Sequence, residues 1–260
     1  MKIAVVTGAS SGMGKEFVRQ IGREASLDEI WVIARRQERL QKLQELTRVQ
    51  VRPVALDLAR PEAVEEYKAL LEQERPQIQY LVNAAGKGVL GSFEEVSLKD
   101  TYDMIDVNIK AMVGMTAVSA PYMGPGGCVI QIGSSSSFQP LPYFNIYAST
   151  KAFVRHYARA LEVELRPRGV RTTVMCPGWV ETEFFYHTKD EQAGYVPKAY
   201  KPMASPEAVV AKALRDVKKG RALSVYGAFN KTQHILAKVL PQSLVMKTWL
   251  AMLKKTDGEK

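Results

Sequence analysis

Short runs of apolar, often β-branched residues alternate with longer charged stretches along most of this chain. The runs are almost continuously apolar, as expected for strands that are covered on both faces of a sheet. A helix between two such strands lets them lie parallel. Strands are predicted at 3–6, 30–33, 51–55, 80–82, 128–132, 171–175 and 222–226, and helices at 13–24, 36–47, 61–74, 101–122, 147–166 and 206–218. The pattern therefore predicts a doubly wound parallel α/β sheet of about seven strands, with helices on both faces in three layers.

The length and composition fit one domain. With 260 residues, 46% of them hydrophobic, the chain can bury a large core as a single domain over 1–260. The formal charge of +9 is unevenly placed, because residues 198–260 hold 13 of the 36 basic but only 4 of the 27 acidic residues. This basic region fits an anionic partner, such as a phospholipid surface or an acidic protein, and equally fits a solvated tail.

Several classes of protein are disfavoured by what the sequence lacks. A strand-like run follows Met1 directly, without the charged leader of a signal peptide, so we expect a cytoplasmic protein. No apolar run reaches the roughly 20 residues of a membrane-spanning helix. Cys128 and Cys176 lie in apolar runs typical of buried thiols, and the three histidines are scattered. No metal site is expected from this arrangement.

A glycine-rich turn, TGASSGMG, lies between the first predicted strand and the first predicted helix. Its glycines let the backbone approach a pyrophosphate closely, and the helix presents backbone N–H groups and the positive end of its dipole. In an alternating α/β chain, this turn predicts a Rossmann-type nucleotide site. The residues predicted to form it are Gly8, Ser10, Ser11, Gly12, Met13 and Gly14.

Tyr147 and Lys151 are four residues apart in a predicted helix, and Ser134 lies thirteen residues before the tyrosine, at a predicted strand end. Residues four apart share a helix face, so Lys151 can hold a positive charge near the phenol. A nearby cation favours the phenolate and is expected to lower the pKa of Tyr147. Such a phenol can act as an acid or base on an alcohol or carbonyl. The YxxxK spacing also occurs on ordinary surface helices, so the pair indicates a catalytic site only in combination with the other motifs.

Together these motifs resemble the short-chain dehydrogenase/reductase family across about the first 185 residues. The residues NAAG at 83–86 resemble its NNAG motif, with Ala84 replacing the second Asn, and 177–182 resembles its PGxxxT segment. The resemblance implies the catalytic residues Asn108, Ser134, Tyr147 and Lys151. It also implies that the cofactor is held by Tyr147, Lys151, Asp57, Leu58, Asn83, Ala84, Ala85, Gly86, Pro177, Gly178, Val180 and Thr182. Without the resemblance, Asp57 would be interpreted as a helix cap and Asn108 as a structural residue.

The end of the second predicted strand bears on the choice of cofactor. A carboxylate that marks NAD preference would lie near Ala34, but the sequence there continues with Arg35 and Arg36. A planar, charged guanidinium can pair with a 2′-phosphate and stack on adenine. NADP(H) is therefore favoured over NAD(H), although the two arginines also suit the start of a charged helix.

The resemblance implies an NADP(H)-dependent oxidoreductase, of carbonyl reductase type, that interconverts a secondary alcohol and a ketone or aldehyde by hydride transfer. Tyr147 would transfer the proton, Ser134 would position the oxygen, Lys151 would bind the nicotinamide ribose and Asn108 would order a water. The alternative is a catalytically inactive, dinucleotide-binding regulator or scaffold. No motif supports a nucleic-acid partner.

Aromatic residues suggest a bulky apolar substrate of steroid, acyl or aromatic type, although lid packing or a subunit contact would explain them equally. Phe138, Leu141, Tyr143 and Phe144 lie in the loop before Tyr147, and Phe184, Phe185, Tyr186, Tyr195 and Tyr200 lie in the segment 183–203, after the sixth predicted strand. The family resemblance also implies a homodimer or homotetramer, for which helices 101–122 and 147–166 are candidates.

Residues 227–260 are predicted to form a basic, amphipathic helical extension outside the resemblance. Pro241 divides it into two helical pieces with apolar faces, and Lys231, Lys238 and Lys247 lie around them. Such helices can bind a membrane interface, join two subunits or cover the pocket. The sequence leaves these three roles open, and peripheral membrane contact is one of them.

Overall fold

The computed structural model describes residues 1–24, 26–184, 195–198 and 202–255, and a parallel sheet forms its centre. The strands are β1 (Lys2–Thr7), β2 (Glu29–Ala34), β3 (Gln50–Ala55), β4 (Gln77–Asn83), β5 (Cys128–Ile132), β6 (Arg171–Met175), β7 (Trp179–Val180), β8 (Tyr195–Pro197), β9 (Met203–Ala204), β10 (Leu223–Ser224) and β11 (Leu253–Lys255). Seven of them form one sheet in the order β10-β6-β5-β4-β1-β2-β3, with every pair parallel. The predicted fold class is confirmed.

The helices cover both faces of the sheet. They are α1 (Gly12–Glu24), α2 (Gln37–Gln41), α3 (Ala63–Glu74), α4 (Leu98–Ile105), α5 (Met112–Ser119), α6 (Asn145–Leu165), α7 (Pro206–Lys218), α8 (Ala228–Val239) and α9 (Gln242–Met252). Alternate residues of β1 point to opposite faces, as the geometry of a strand requires. Ala4 and Val6 pack in one apolar cluster with Phe17 of α1, and Ile3 and Val5 pack in a second cluster.

Two helix predictions differ from the structure in instructive ways. The stretch 101–122 is broken, because a π-helical segment, Asp106–Ala111, separates α4 from α5. Such π segments are rare and often occur at functional sites. The stretch 61–74 is helical only from Ala63, and in the turn before it the Asp57 side chain accepts from the Ala59 backbone N–H at 3.1 Å.

Sheet order places a crevice above the carboxyl end of β1. The strand following β1 in sequence pairs on one side of it, and β4 pairs on the other, so the chain changes direction across the sheet at this point. Open α/β sheets bind ligands in the crevice at such a switch point. The glycine turn between β1 and α1 lies at this edge, as do the residues that follow β4 and β5.

The C-terminal extension packs against the same end of the sheet. Its two helices, α8 and α9, are separated at Pro241 as predicted, but Leu253–Lys255 forms β11 and pairs antiparallel with β8. The Trp249 indole N–H donates to the Pro142 carbonyl at 2.8 Å, and Trp249 and Leu253 are buried in one apolar cluster with Tyr147. Among the described residues, none of the helices has the length and apolar character needed to cross a membrane.

Candidate active site

A cavity of about 850 Å³ opens at the carboxyl edge of the sheet. It extends from the glycine turn and the end of β2 to the residues around Tyr147 and Lys151. Of all the residues predicted for the site, only Asn83 and Asn108 do not line this cavity. The structure thus brings predicted residues from seven separate segments into one continuous space.

The glycine turn has a backbone that other residues would adopt only with strain. Gly8 has φ of +63°, and a Cβ atom there would lie 2.6 Å from the Ala85 backbone nitrogen. Gly12 has φ of +51°, and its Cβ would lie 3.0 Å from Cγ2 of Thr182. The turn therefore brings β1 into contact with the segment after β4 and with Thr182, closing the nucleotide end of the cavity.

Ser134, Tyr147 and Lys151 meet at the other end of the cavity. Ser134 follows β5, and its hydroxyl interacts with the phenol of Tyr147, whose pKa it acts to lower. Tyr147 lies in the first turn of α6, its ring stacked on Phe144 with centroids 4.3 Å apart. The Lys151 ammonium lies 5.7 Å from the centroid of the tyrosine ring and donates to the Ile132 carbonyl at 2.8 Å.

Burial controls the protonation of this pair. Tyr147 and Lys151 are 7% and 4% exposed. Burial raises the pKa of Tyr147 to about 12, although its interaction with Ser134 acts in the opposite direction. Burial lowers the pKa of Lys151 to about 8. The expectation of a lowered tyrosine pKa is therefore wrong for this structure, because desolvation disfavours the charged phenolate.

Asn108 is a fully engaged buried side chain in the π-helical segment. Its amide donates to the Lys87 carbonyl at 2.8 Å and to the Thr150 hydroxyl at 3.0 Å. Its amide oxygen accepts from the Lys87 backbone N–H at 2.9 Å. Asn108 thus ties the segment after β4 to α6, one residue from Lys151. The expected role of Asn108 in ordering a water stays a prediction.

Asn83 also lies below the cavity rather than in its wall. Its amide donates to the Thr116 hydroxyl at 3.0 Å, which also accepts from the Gln131 amide at 2.9 Å. These bonds join β4, α5 and β5 at the point where the strands end.

Asp57 does line the cavity while it binds the turn before α3. The interpretation of Asp57 as a helix cap is wrong, because Glu62 occupies the N-cap position of α3, whereas the place of Asp57 in the cavity wall is compatible with a cofactor contact.

The end of β2 contains a network of charges that the sequence shows only in part. Arg36 donates to the Ser10 hydroxyl at 3.2 Å and to the Glu183 carboxylate at 3.2 Å. Arg39 of α2 donates to the two oxygens of the same carboxylate at 2.7 and 2.8 Å. Arg35 lines the cavity beside them. Neither Arg39 nor Glu183 was predicted, because 144 residues separate them in sequence.

The walls near Tyr147 are mainly apolar. Leu141, Phe144 and Phe184 line the cavity as predicted, and the Phe184 ring lies 5.7 Å from that of Tyr147. Tyr143 does not line the cavity, and neither does Phe138, which packs against His234 with centroids 4.1 Å apart. The predicted Phe185, Tyr186 and Tyr200 lie outside the described residues, while Tyr195 lies in β8. The extension supplies wall residues that were not predicted for this purpose, namely Leu236, Leu240, Val245, Trp249 and Met252.

In the part of the chain that the structure describes, no group of three or more His, Cys, Asp or Glu side chains is placed to hold a metal ion. The buried thiols, Cys128 and Cys176, lie in and beside the sheet. The Cys176 thiol lies 3.7 Å from the Ser137 hydroxyl, behind the serines that follow β5.

Comparison with known proteins agrees with this arrangement. A family model described as short chain dehydrogenase matches residues 2–193. Sulfoacetaldehyde reductase 2 of Chromohalobacter salexigens is 35% identical over 191 residues, which are 70% of this chain and 74% of that protein. An NADP-dependent 3-hydroxy acid dehydrogenase of Escherichia coli is 36% identical over 186 residues, again 70% and 74%.

A solved structure extends the comparison to the fold. The closed form of a serine dehydrogenase complexed with NADP⁺ aligns with a TM-score of 0.73 and 32% identity, covering 86% of this chain and 94% of that one. The family model spans both the glycine turn and the Ser134–Tyr147–Lys151 cluster. The chain therefore belongs to the short-chain dehydrogenase family and is an NAD(P)-binding oxidoreductase that acts on CH–OH groups.

Proposed function

We propose that the protein is an NADP(H)-dependent reductase or dehydrogenase that interconverts a bulky, apolar secondary alcohol and its ketone or aldehyde. The observation that carries the proposal is the position of Tyr147. Its hydroxyl interacts with Ser134, and Lys151 lies beside it, in the wall of a cavity that also contains the glycine turn. One cavity thus joins a nucleotide site to an acid–base group.

The protein's own residues account for the proton in this reaction. A bound nicotinamide cofactor supplies or accepts the hydride. Because burial raises the pKa of Tyr147 to about 12, the phenol keeps its proton at neutral pH and can donate it to a substrate carbonyl oxygen. Ser134 can hydrogen-bond the same oxygen, and Asn108 fixes α6 through Thr150. The buried Lys151 places a titratable ammonium beside the phenol.

The preference for NADP(H) is supported by the charge at the end of β2. Arg35 and Arg36 line the nucleotide end of the cavity, where a 2′-phosphate would lie. The similar E. coli dehydrogenase is named as NADP-dependent, and the similar serine dehydrogenase was solved with NADP⁺. The residues inferred from the sequence to hold the cofactor are proposed to bind it together with Arg35 and Arg36.

An apolar substrate is supported by the charges as well as the walls of the cavity. The names of the two relatives imply anionic substrates. Of the cations that line the described cavity, Arg35 and Arg36 lie at the nucleotide end and Lys151 lies beside Tyr147. The remaining one, Lys87, is paired with Asp100 at 2.7 Å and with Asp103 at 2.6 Å. A substrate carboxylate or sulfonate would have to compete with two aspartates, so a neutral substrate is favoured.

The test is a panel of ketones and aldehydes with NADPH and with NADH. We expect the highest kcat/KM with NADPH and bulky, neutral aromatic or steroid-like ketones, and a lower value when a carboxylate is added to the same skeleton. Faster turnover of the carboxylate compound would overturn the proposed substrate class. The inactive-scaffold alternative predicts no turnover with any compound, and equal rates with NADH would overturn the cofactor preference.

The C-terminal extension is proposed to contact anionic membrane surfaces at the mouth of the cavity. Of the fifteen large hydrophobic side chains exposed among the described residues, eight belong to residues 229–252. The sequence from 227 to 255 has five lysines and no acidic residue. Exposed apolar side chains among lysines favour an interface with anionic lipid. Two copies joined face to face through this surface would bring their lysines together, which disfavours a self-contact here.

Flotation with liposomes tests the membrane proposal. Binding should require anionic phospholipid at low salt, and Val239→Asp should weaken it, because Val239 is 70% exposed. Equal binding to zwitterionic liposomes, or none to either kind, would contradict it.

A cytoplasmic location and a homodimer or homotetramer stay predictions. Exposed Leu98, Tyr102 and Phe153 on α4 and α6 are consistent with a subunit contact there, which light scattering would test.

A further inference from the structure

Glu183 holds the guanidinium groups at the nucleotide end of the cavity. Its carboxylate accepts two hydrogen bonds from Arg39, at 2.7 and 2.8 Å, and one from Arg36, at 3.2 Å. The three side chains are between 43% and 45% exposed, so they remain accessible to a ligand. Arg36 also contacts Ser10 of the glycine turn. A carboxylate carried by the segment after β7 therefore lies against the charges that follow β2.

A cofactor 2′-phosphate would need the same donors. Arginine binds carboxylate and phosphate through the same planar set of N–H groups, and a donor used by one is not available to the other. The two anions would also repel each other at this distance. A dinucleotide without the 2′-phosphate places only hydroxyl groups at this position, so it would not compete with Glu183.

We propose that Glu183 is a specificity-determining residue of the nucleotide site, whose carboxylate competes with the cofactor 2′-phosphate for Arg36 and Arg39. This inference rests on the proposed NADP(H) preference. It means that the phosphorylated cofactor binds by exchange, since Arg36 leaves Glu183 and pairs with the phosphate. The carboxylate therefore reduces the affinity that the arginines alone would give to the phosphorylated cofactor and leaves the affinity for the unphosphorylated one unchanged.

Calorimetry with adenosine 2′,5′-bisphosphate and with 5′-AMP tests this role, because the two probes differ only in the 2′-phosphate. Glu183→Gln removes the negative charge and keeps the shape of the side chain. It should strengthen binding of the bisphosphate by about fivefold at low salt and leave 5′-AMP unchanged. The gain should shrink at high salt, which a purely structural effect would not do.

Glu38→Gln is the matched control. Glu38 is an exposed residue of α2 that carries the same charge, and in the described structure its side chain makes no hydrogen bond or ion pair with Arg36 or Arg39. We expect no change in either affinity for this variant. An unchanged or weaker affinity of Glu183→Gln for the bisphosphate would overturn the role of Glu183. If the wild-type protein did not prefer the bisphosphate to 5′-AMP, the proposed NADP(H) preference would fall instead.

Discussion

Replacing Lys151 by methionine should change how stability depends on pH. Lys151 is 4% exposed, and burial lowers its pKa from 10.5 to about 8. Between these two values the unfolded chain binds a proton that the folded chain does not, so this lysine makes the free energy of unfolding rise as pH rises. A difference of 2.5 pKa units at 1.36 kcal/mol each corresponds to about 3 kcal/mol.

Urea unfolding at several values of pH measures this effect. The free energy of unfolding of the wild-type protein, minus that of Lys151→Met, should rise by up to about 3 kcal/mol between pH 8 and pH 10.5. Compared with the wild-type protein, the variant is therefore most stable at neutral pH. Burial raises the pKa of Tyr147 to about 12 and that of Cys176 to about 11. Each of these two groups therefore makes the free energy of unfolding fall as pH rises through the range in which it titrates. Both residues remain in the variant, and because the charge of Lys151 also lowers the pKa of Cys176, the contribution of the lysine is measured most cleanly at the low-pH end of the range.

Lys42→Met provides the control for this measurement, since Lys42 is an exposed lysine far from the cavity lining. Its difference from the wild-type protein should not vary over the same range of pH. A flat difference for Lys151→Met, or one that falls as pH rises, would refute the reasoning that burial disfavours the charged lysine.

Two further substitutions test the packing around the tyrosine. Gly88→Ala would place a Cβ 2.9 Å from Cδ2 of Tyr147 and 2.8 Å from Cζ of Phe184. We therefore expect kcat to fall about a hundredfold while the affinity for NADPH is unchanged. A normal kcat would mean that the two rings are free to move. Trp249→Ala should cost about 3–5 kcal/mol of local stability, increase hydrogen exchange in α9 and raise KM for apolar ketones. Trp249→Phe should keep the packing and lose only the bond to the Pro142 carbonyl, about 1 kcal/mol; if both variants exchanged equally fast, the bond rather than the ring would hold α9.

The parts of the fold that were predictable are those with strong local signals. Strands β5 and β6 have the predicted bounds, because continuous apolar runs that end at glycine or proline leave little choice of boundary. The glycine turn and the YxxxK pair were predictable because their spacing is short and their chemistry depends on it. Nothing in the periodicity of residues 101–122 indicates the π-helical segment, which depends on the tertiary bonds of Asn108 to Lys87 and Thr150.

The parts of the site that were missed depend on contacts between distant segments. Glu183 meets Arg39 only because the segment after β7 returns to the end of β2. Trp249 reaches Pro142 across 107 residues, so the role of the extension as a wall of the cavity was one of three open choices. The direction of the Tyr147 pKa was wrong because the sequence shows which charges are near but not how deeply they are buried.

Transient kinetics of Tyr147→Phe test the central claim most directly. The substitution removes the hydroxyl and keeps the ring that stacks on Phe144. NADPH affinity, measured by fluorescence titration, should stay within about twofold, while the single-turnover rate of NADPH oxidation by a reactive ketone should fall by at least about a hundredfold. Unchanged affinity together with a rate within about tenfold of the wild-type value would show that the proton does not come from Tyr147.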